Sequence, residues 1–152
     1  MISYRLATKE DADLYFGWAN DPDVRNNAIH KEAIRFEDHI HWFTKKISDP
    51  KTIMLIFHDG GMSVGQLRID LDKEAIITYS IDKGQRGKGY GTDMLKMAFD
   101  HYISGTPAFP LTGLVKLNNI ASIRAFTKAG FKQHEEMVNF KEDQYLKFSK
   151  NG

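Results

Sequence analysis

Residues 82–95 read DKGQRGKGYGTDML, with Gly87, Gly89 and Gly91 alternating with Lys88 and Tyr90. The stretch before it, Ala75–Ile81 (AIITYSI), has strand composition. After it, Met94, Leu95, Ala98, Phe99, Tyr102 and Ile103 recur at helical spacing. A strand that runs through glycines into a helix presents several free backbone N–H groups at the positive end of the helix dipole, a geometry that binds anions. Glycine permits positive φ and lets a diphosphate approach the backbone, and Arg86 and Lys88 add charge. Taken alone, the glycines read equally well as a turn that only starts a helix.

Spacing excludes the commoner phosphate loops. A Walker loop ends in Lys-Ser/Thr, whereas Lys88 is followed by Gly89. A dinucleotide fingerprint is G-x-G-x-x-G in a first βαβ unit, whereas this is G-x-G-x-G after a run of antiparallel-looking strands.

Working outward, Ile2–Leu6 reads as a strand, and Thr8 with Asp11 as the capped start of a helix reaching about Trp18. Asn20-Asp21-Pro22-Asp23 is turn chemistry opening a short helix through Arg25 and Asn26. Phe36, Ile40, Phe43 and Ile47 mark an amphipathic helix. Thr52–His58 and Ser63–Asp70 form a hairpin turned by Asp59-Gly60-Gly61, and Ala75–Ile81 is its third strand. Leu111–Lys116 is a strand, Ile120–Ala129 a helix capped by Gly130, and Phe131–Phe140 with Gln144–Phe148 a closing hairpin. The order β-α-α-β-β-β-α-β-α-β-β predicts one α/β domain over residues 1–152, a mixed sheet with helices on both faces.

Composition restricts the function further. A net charge of +1 argues against a nucleic-acid partner. No apolar run reaches the roughly 18 residues of a membrane span, and MISYRLATKED is no signal peptide, so the expected location is cytoplasmic. The absence of cysteine excludes disulfides, thiolate metal sites and an acyl-cysteine intermediate. His39 and His41 point to different helix faces, and no metal site is expected.

Arg86-Gly87-Lys88-Gly89-Tyr90-Gly91 resembles the acetyl-coenzyme A signature Q/R-x-x-G-x-G/A of the GNAT N-acetyltransferases. Downstream, Val115 through Phe131, with Asn119, Ser122, Phe126 and Gly130 at the key positions, resembles a second motif of that family, V-x-x-x-N-x-x-(A/S)-x-x-x-(Y/F)-x-x-x-G-F. The resemblance implies a mostly antiparallel twisted sheet and acetyl-CoA as cofactor. It implies that the amides of Arg86 through Gly91, with Thr92, take the pyrophosphate. Pantetheine would lie along Ala75–Ile81 near Ser80 and Ile81, in a slot opened by a β-bulge. Asn119 and Ser122 would face the cofactor, and Phe126 its thiol end.

The family transfers acetyl directly to an amine in a ternary complex. An N–H near Ile81 is then the expected oxyanion donor. Many relatives carry a Tyr acid where this chain has Phe126. A thiol titrating at about 8.5 costs only about 2 kcal/mol to ionise at neutral pH, and Tyr79, Tyr90 or water are the substitute donors. Asp70 and His30 are the base candidates, with Glu74 and Asp82 behind them. Alternation puts Gln66, Arg68 and Asp70 on one strand face, which either lines a cleft or faces solvent.

Trp18-x-Asn20-Asp21-Pro22, Phe36-x-x-His39-x-x-Trp42-Phe43 and Gly65-Gln66-x-Arg68-x-Asp70 resemble the branch of the family that acetylates nucleotide-linked amino-deoxy-sugars. By that resemblance Asn20, Arg25, His39, Trp42 and Arg68 face the acceptor. From the residues themselves, Trp42 and His39 read equally as core, and Asn20-Asp21 as a turn with local hydrogen bonds. A ribosomal-protein type N-terminal acetyltransferase and a noncatalytic acyl-CoA sensor are the alternatives. A small-molecule amine is the expected partner, and the chain is a monomer or homodimer.

Overall fold

The computed structural model describes residues 1–29, 31–105, 107–140 and 142–152. Among the described residues eight strands form one sheet: β1 (Ile2–Leu6), β2 (Thr52–Asp59), β3 (Met62–Leu71), β4 (Ala75–Ile81), β5 (Leu111–Lys116), β6 (Lys132–Gln133), β7 (Val138–Phe140) and β8 (Asp143–Lys150). Their spatial order is β1-β2-β3-β4-β5-β8-β6, with β7 also on β8. All pairs are antiparallel except β4 with β5. The expected mixed, mostly antiparallel α/β sheet is present.

Period-two alternation divides β2 between two cores. Leu55 and Phe57 join Leu67, Ile69 and Ile77 under α4 (Tyr90–Ile103) and α5 (Ile120–Lys128). Met54 and Ile56 turn the other way, to Tyr15, Trp18 and Phe43 of α1 (Ala12–Ala19) and α3 (Phe36–Ile47). The short α2 (Pro22–Asn27) follows α1 and is capped by Asp21, whose carboxylate accepts from the Asp23 and Val24 amides. Among the described residues, no helix is long and apolar enough to cross a membrane.

Three expectations need correction. Thr8 caps the first helical segment as expected, but its first turn, Lys9–Asp11, is a 3-10 turn and α1 starts only at Ala12. Asp11 still closes the capping box, taking the Thr8 amide at 2.7 Å, and it also holds Arg5 of β1 through two 2.8 Å bonds. The closing strand 131–140 is broken into β6 and β7, because the intervening HEEM stretch is exposed and offers no alternating apolar face. No bulge interrupts β4 against β3, whose register runs unbroken from Gly65↔Ile81 to Leu71↔Ala75. The irregularity lies in β2, between Phe57 and His58.

The slot arises by another route. β4 and β5 pair only at Ala75↔Leu111 and Ile76↔Thr112. The next β5 residue is Gly113, where an added Cβ would overlap the Phe126 ring and approach Ile77 Cγ2 to 3.3 Å. Phe126 is fixed there by stacking on Phe148 (5.4 Å between centroids) and by an edge contact to Phe131 (5.0 Å). The aromatic ring therefore sits where strand pairing stops, and β4 beyond Ile76 keeps an edge unpaired with β5.

Candidate active site

Residues 82–89 carry the chain from the C-terminal end of β4 to the start of α4. Gly87 and Gly89 adopt φ of 79° and 83°, the left-handed region where a side chain would be strained. Residues 87–89 are exposed and lead directly into the N-terminus of a helix of 14 residues. Tyr90, the first residue of α4, is tied to the β2–β3 turn by its hydroxyl, which donates to Asp59 Oδ2 at 2.6 Å. That bond, with the N-terminal amine 3.2 Å from Oδ1, holds the Asp59 carboxyl below its usual range. Thr92 is half-buried in the first turn, and Lys88 Nζ donates to Gln85 Oε1 at 3.0 Å.

The Arg86 side chain does not reach toward the glycines. Nε donates to the carbonyl of Ile81, the last residue of β4, at 3.2 Å. Nη1 contacts Asp23 Oδ2 at 3.0 Å and Nη2 contacts Asp21 Oδ1 at 3.1 Å. Burial would raise the Asp21 carboxyl, but Arg86 and the capped amides outweigh it and hold Asp21 below its ordinary value.

Inside the slot, Tyr79 projects from the unpaired part of β4 toward α5. Its hydroxyl and Ser122 Oγ share a 2.9 Å hydrogen bond, and its ring meets Phe126 edge-on at 5.9 Å. Burial raises the phenol, partly offset by Ser122, so it is protonated at neutral pH. Asn119 caps α5 by accepting the Ser122 amide at 3.3 Å. On the opposite sheet face, Ser80 Oγ accepts from Gln66 Nε2 at 2.9 Å.

The Gln66, Arg68, Asp70 face lies under α3. Asp70 is gripped by Lys46 Nζ at 2.9 Å and Arg68 Nε at 2.8 Å, and the Arg68 guanidinium stands 5.0 Å from the centroid of the Trp42 ring. Burial opposes ionisation of Asp70, yet the two cations prevail and keep its carboxyl below the usual range. In register Asp70 faces Ile76, four residues before Ser80, or roughly 13 Å back along the strand. Asp70 is thus a paired, weakly basic carboxylate at the closed end of the slot. His30 lies outside the described residues. Trp18 Nε1 donates to Asp82 Oδ1 at 2.9 Å, so that carboxylate is also engaged.

Of the acceptor candidates, His39 is buried and donates from Nε2 to the Ala12 carbonyl at 2.9 Å, packed against Phe16, Trp42 and Phe43. Burial pushes its pKa down. Asn20 uses both ends of its amide on the Ile34 backbone, at 2.7 Å each, and so holds the segment after α2. Arg25 is half-buried, with Nη1 near the Glu32 carbonyl at 3.5 Å.

Two lysines escaped the sequence reading. Lys46 was legible only as the polar edge of α3. Lys116 ends β5 almost fully buried, donating to the Asn26 carbonyl at 2.8 Å, with Asp143 at 3.5 Å. Alternation along β5 would have turned Lys116 away from Val115 and the α4–α5 core, but its partner lies 90 residues away.

A splayed mixed sheet with a glycine cradle at the start of the following helix defines the GNAT acyltransferase architecture. The acetyltransferase (GNAT) domain model matches residues 2–132, and the chain belongs to that family. It is an acetyl-CoA-dependent N-acetyltransferase. No curated protein matches the sequence. Among solved structures, the fold is similar to an aminoglycoside acetyltransferase AAC(6')-Ib in complex with coenzyme A. That pair has a TM-score of 0.83 at 16% identity, covering 99% of this chain and 94% of the other. It is also similar to the spermidine N-acetyltransferase from Vibrio cholerae in complex with CoA and spermine, with a TM-score of 0.84 at 14% identity, covering 97% and 94%.

Proposed function

We propose that this enzyme acetylates a primary amine of a small molecule carrying negative charge, with a nucleotide-linked amino-deoxy-sugar as the preferred acceptor. The observation that carries the cofactor half is the exposed left-handed backbone at Gly87 and Gly89, at the mouth of the β4–β5 slot. The amides of residues 86–91 hold the pyrophosphate, and the pantetheine arm runs along the free edge of β4 past Ser80 and Ile81. The acetyl group then lies near Tyr79, and a β4 amide stabilises the tetrahedral oxyanion. The neutral amine nitrogen adds to the acetyl carbon and sheds a proton to water, from which Tyr79 is later reprotonated, and collapse of the oxyanion breaks the carbon–sulfur bond. The protonated Tyr79 hydroxyl, held by Ser122, gives its proton to the departing thiolate. Tyr79 fills the role that Phe126 lacks the hydroxyl to perform.

The acceptor half rests on charge. Lys46 and Arg68, two cations, share one carboxylate, Asp70. A cation excess beside the Trp42 ring suits a phosphate and a flat base, and repels a polyamine. The aminoglycoside and spermidine acetyltransferases of similar fold supply the competing acceptors for the test. Thiol release from acetyl-CoA should be measured with a uridine-diphosphate amino-deoxy-sugar, kanamycin, spermidine and a ribosomal-protein N-terminal peptide. The reading predicts the nucleotide sugar to lead by about tenfold or more in kcat/KM. A lead for spermidine or kanamycin would overturn the acceptor assignment. Tight cofactor binding with no release for any amine would favour the sensor.

A further inference from the structure

The helix α2 has an anchor at each end, one tied to the last residue of β4 and the other formed by the last residue of β5. At its start, Arg86 joins Asp21 and Asp23 to the carbonyl of Ile81, the last residue of β4. At its end, Lys116, the last residue of β5, donates to the carbonyl of Asn26. Since β4 and β5 pair only at their N-terminal ends, α2 runs across the open mouth between their C-terminal ends.

The dimensions agree. One extended chain inserted between β4 and β5 needs about 9.6 Å, two strand spacings. A helix of six residues rises about 9 Å. The bridge is therefore about as long as the slot is wide when the slot holds a single extended chain. The Lys116 anchor and the Asp21 half of the Arg86 anchor are shielded, whereas Asp23 is exposed. Lys116 is 6% exposed, and Asp21, the closer partner to the interior, has a side chain 12% exposed. A third tie, from Trp18 to Asp82, fastens α1 to the same segment.

The geometry points to Arg86 and Lys116 as positioning residues that hold α2 as a strap across the cofactor slot, so that filling the slot and ordering the acceptor side are one coupled event. The inference rests on the slot assignment above. It gives Arg86 two separate uses: its backbone amide belongs to the cradle, while its guanidinium belongs to α2. The coupling runs both ways, since any ligand that tightens one side favours the other by the same factor.

Hydrogen exchange with and without saturating acetyl-CoA, alongside calorimetry, tests this. In the wild type, acetyl-CoA should slow exchange in residues 87–91 and, by about fivefold or more, at the amides of Arg25–Ala28. In Arg86→Gln the cradle should still be protected and the Kd should rise by less than about threefold, while the response of α2 is lost. Asp21→Asn with Asp23→Asn, which keeps a capping side chain, should reproduce that split. Lys116→Met should lose the α2 response from the other end. An α2 response unchanged in these variants would overturn the strap. So would a loss of about tenfold or more in affinity in Arg86→Gln with the α2 response intact, which would make the guanidinium a phosphate ligand. Protection of neither segment in the wild type would overturn the slot assignment together with the strap.

Discussion

The Tyr79 hydroxyl and the Ser122 hydroxyl lie 2.9 Å apart, joining the unpaired edge of β4 to the first turn of α5. This pair stands beside Phe126, the position at which many members of the family carry a tyrosine acid. Removing the phenol should cost the proton at the thiolate and little else. Tyr79→Phe is expected to lower kcat about 100-fold with the KM for acetyl-CoA within about threefold of wild type. Ser122→Ala should cost less, because it loosens the donor without removing it. Steady-state thiol release in the two variants checks both.

Phe126→Tyr should not rescue or raise activity. The para carbon of Phe126 faces Gly113 so closely that an added hydroxyl has neither room nor partner. We expect it to destabilise the fold by about 1–3 kcal/mol through overpacking and a buried unsatisfied group. Denaturant unfolding reads the stability, and an increase in turnover would show that the aromatic wedge is really an acid site.

Gly89→Glu combines a left-handed backbone position with a negative charge at the cradle. Loss of acetyl-CoA binding by calorimetry is expected, with a strain cost of about 1–2 kcal/mol and the fold retained. Micromolar affinity in this variant would move the pyrophosphate elsewhere.

Acid should weaken the protein through two groups of opposite type. Arg5, opposed by burial, holds the Asp11 carboxyl below its unfolded value, so its stabilisation is present above that value and lost as pH falls through the lowered folded one. Burial lowers the pKa of His39 although its bond to Ala12 works the other way. The unfolded chain therefore takes up a proton first, and stability drains away as pH falls below about 6.5. The unfolding midpoint should decline from about pH 7.5 to 5.5, and His39→Gln should flatten that slope. Asp11→Asn should cost about 1–2 kcal/mol near neutral pH and flatten the loss at lower pH.

Local chemistry carried much of the fold. The β2–β4 meander follows period-two alternation and an Asp-Gly-Gly turn, and the cradle follows from glycines between a strand and a helix. What sequence could not show was set by long-range partners. The slot begins where β4–β5 pairing stops, with the Phe126 ring packed over Gly113 and no bulge in β4, and nothing local marks the irregularity at Phe57–His58. That the Arg86 guanidinium turns to α2 was not legible locally, because its partner Asp23 lies 63 residues away. The grip of Lys46 on Asp70 was not legible either, because Lys46 comes from another element, packed over the same sheet face. Periodicity correctly placed Gln66, Arg68 and Asp70 on one face but could not say that cations would occupy the carboxylate.

The central claim is that acetyl-CoA seats its pyrophosphate on the amides of residues 86–91 and runs along β4. Titration with acetyl-CoA followed by backbone amide NMR tests it residue by residue. The account predicts the largest shifts at Gly87, Gly89 and Gly91, continuing through Tyr79, Ser80 and Ile81. Shifts concentrated instead around the separate cavity of about 420 Å³ lined by Ile53, Leu71, Tyr102 and Phe109 would contradict it.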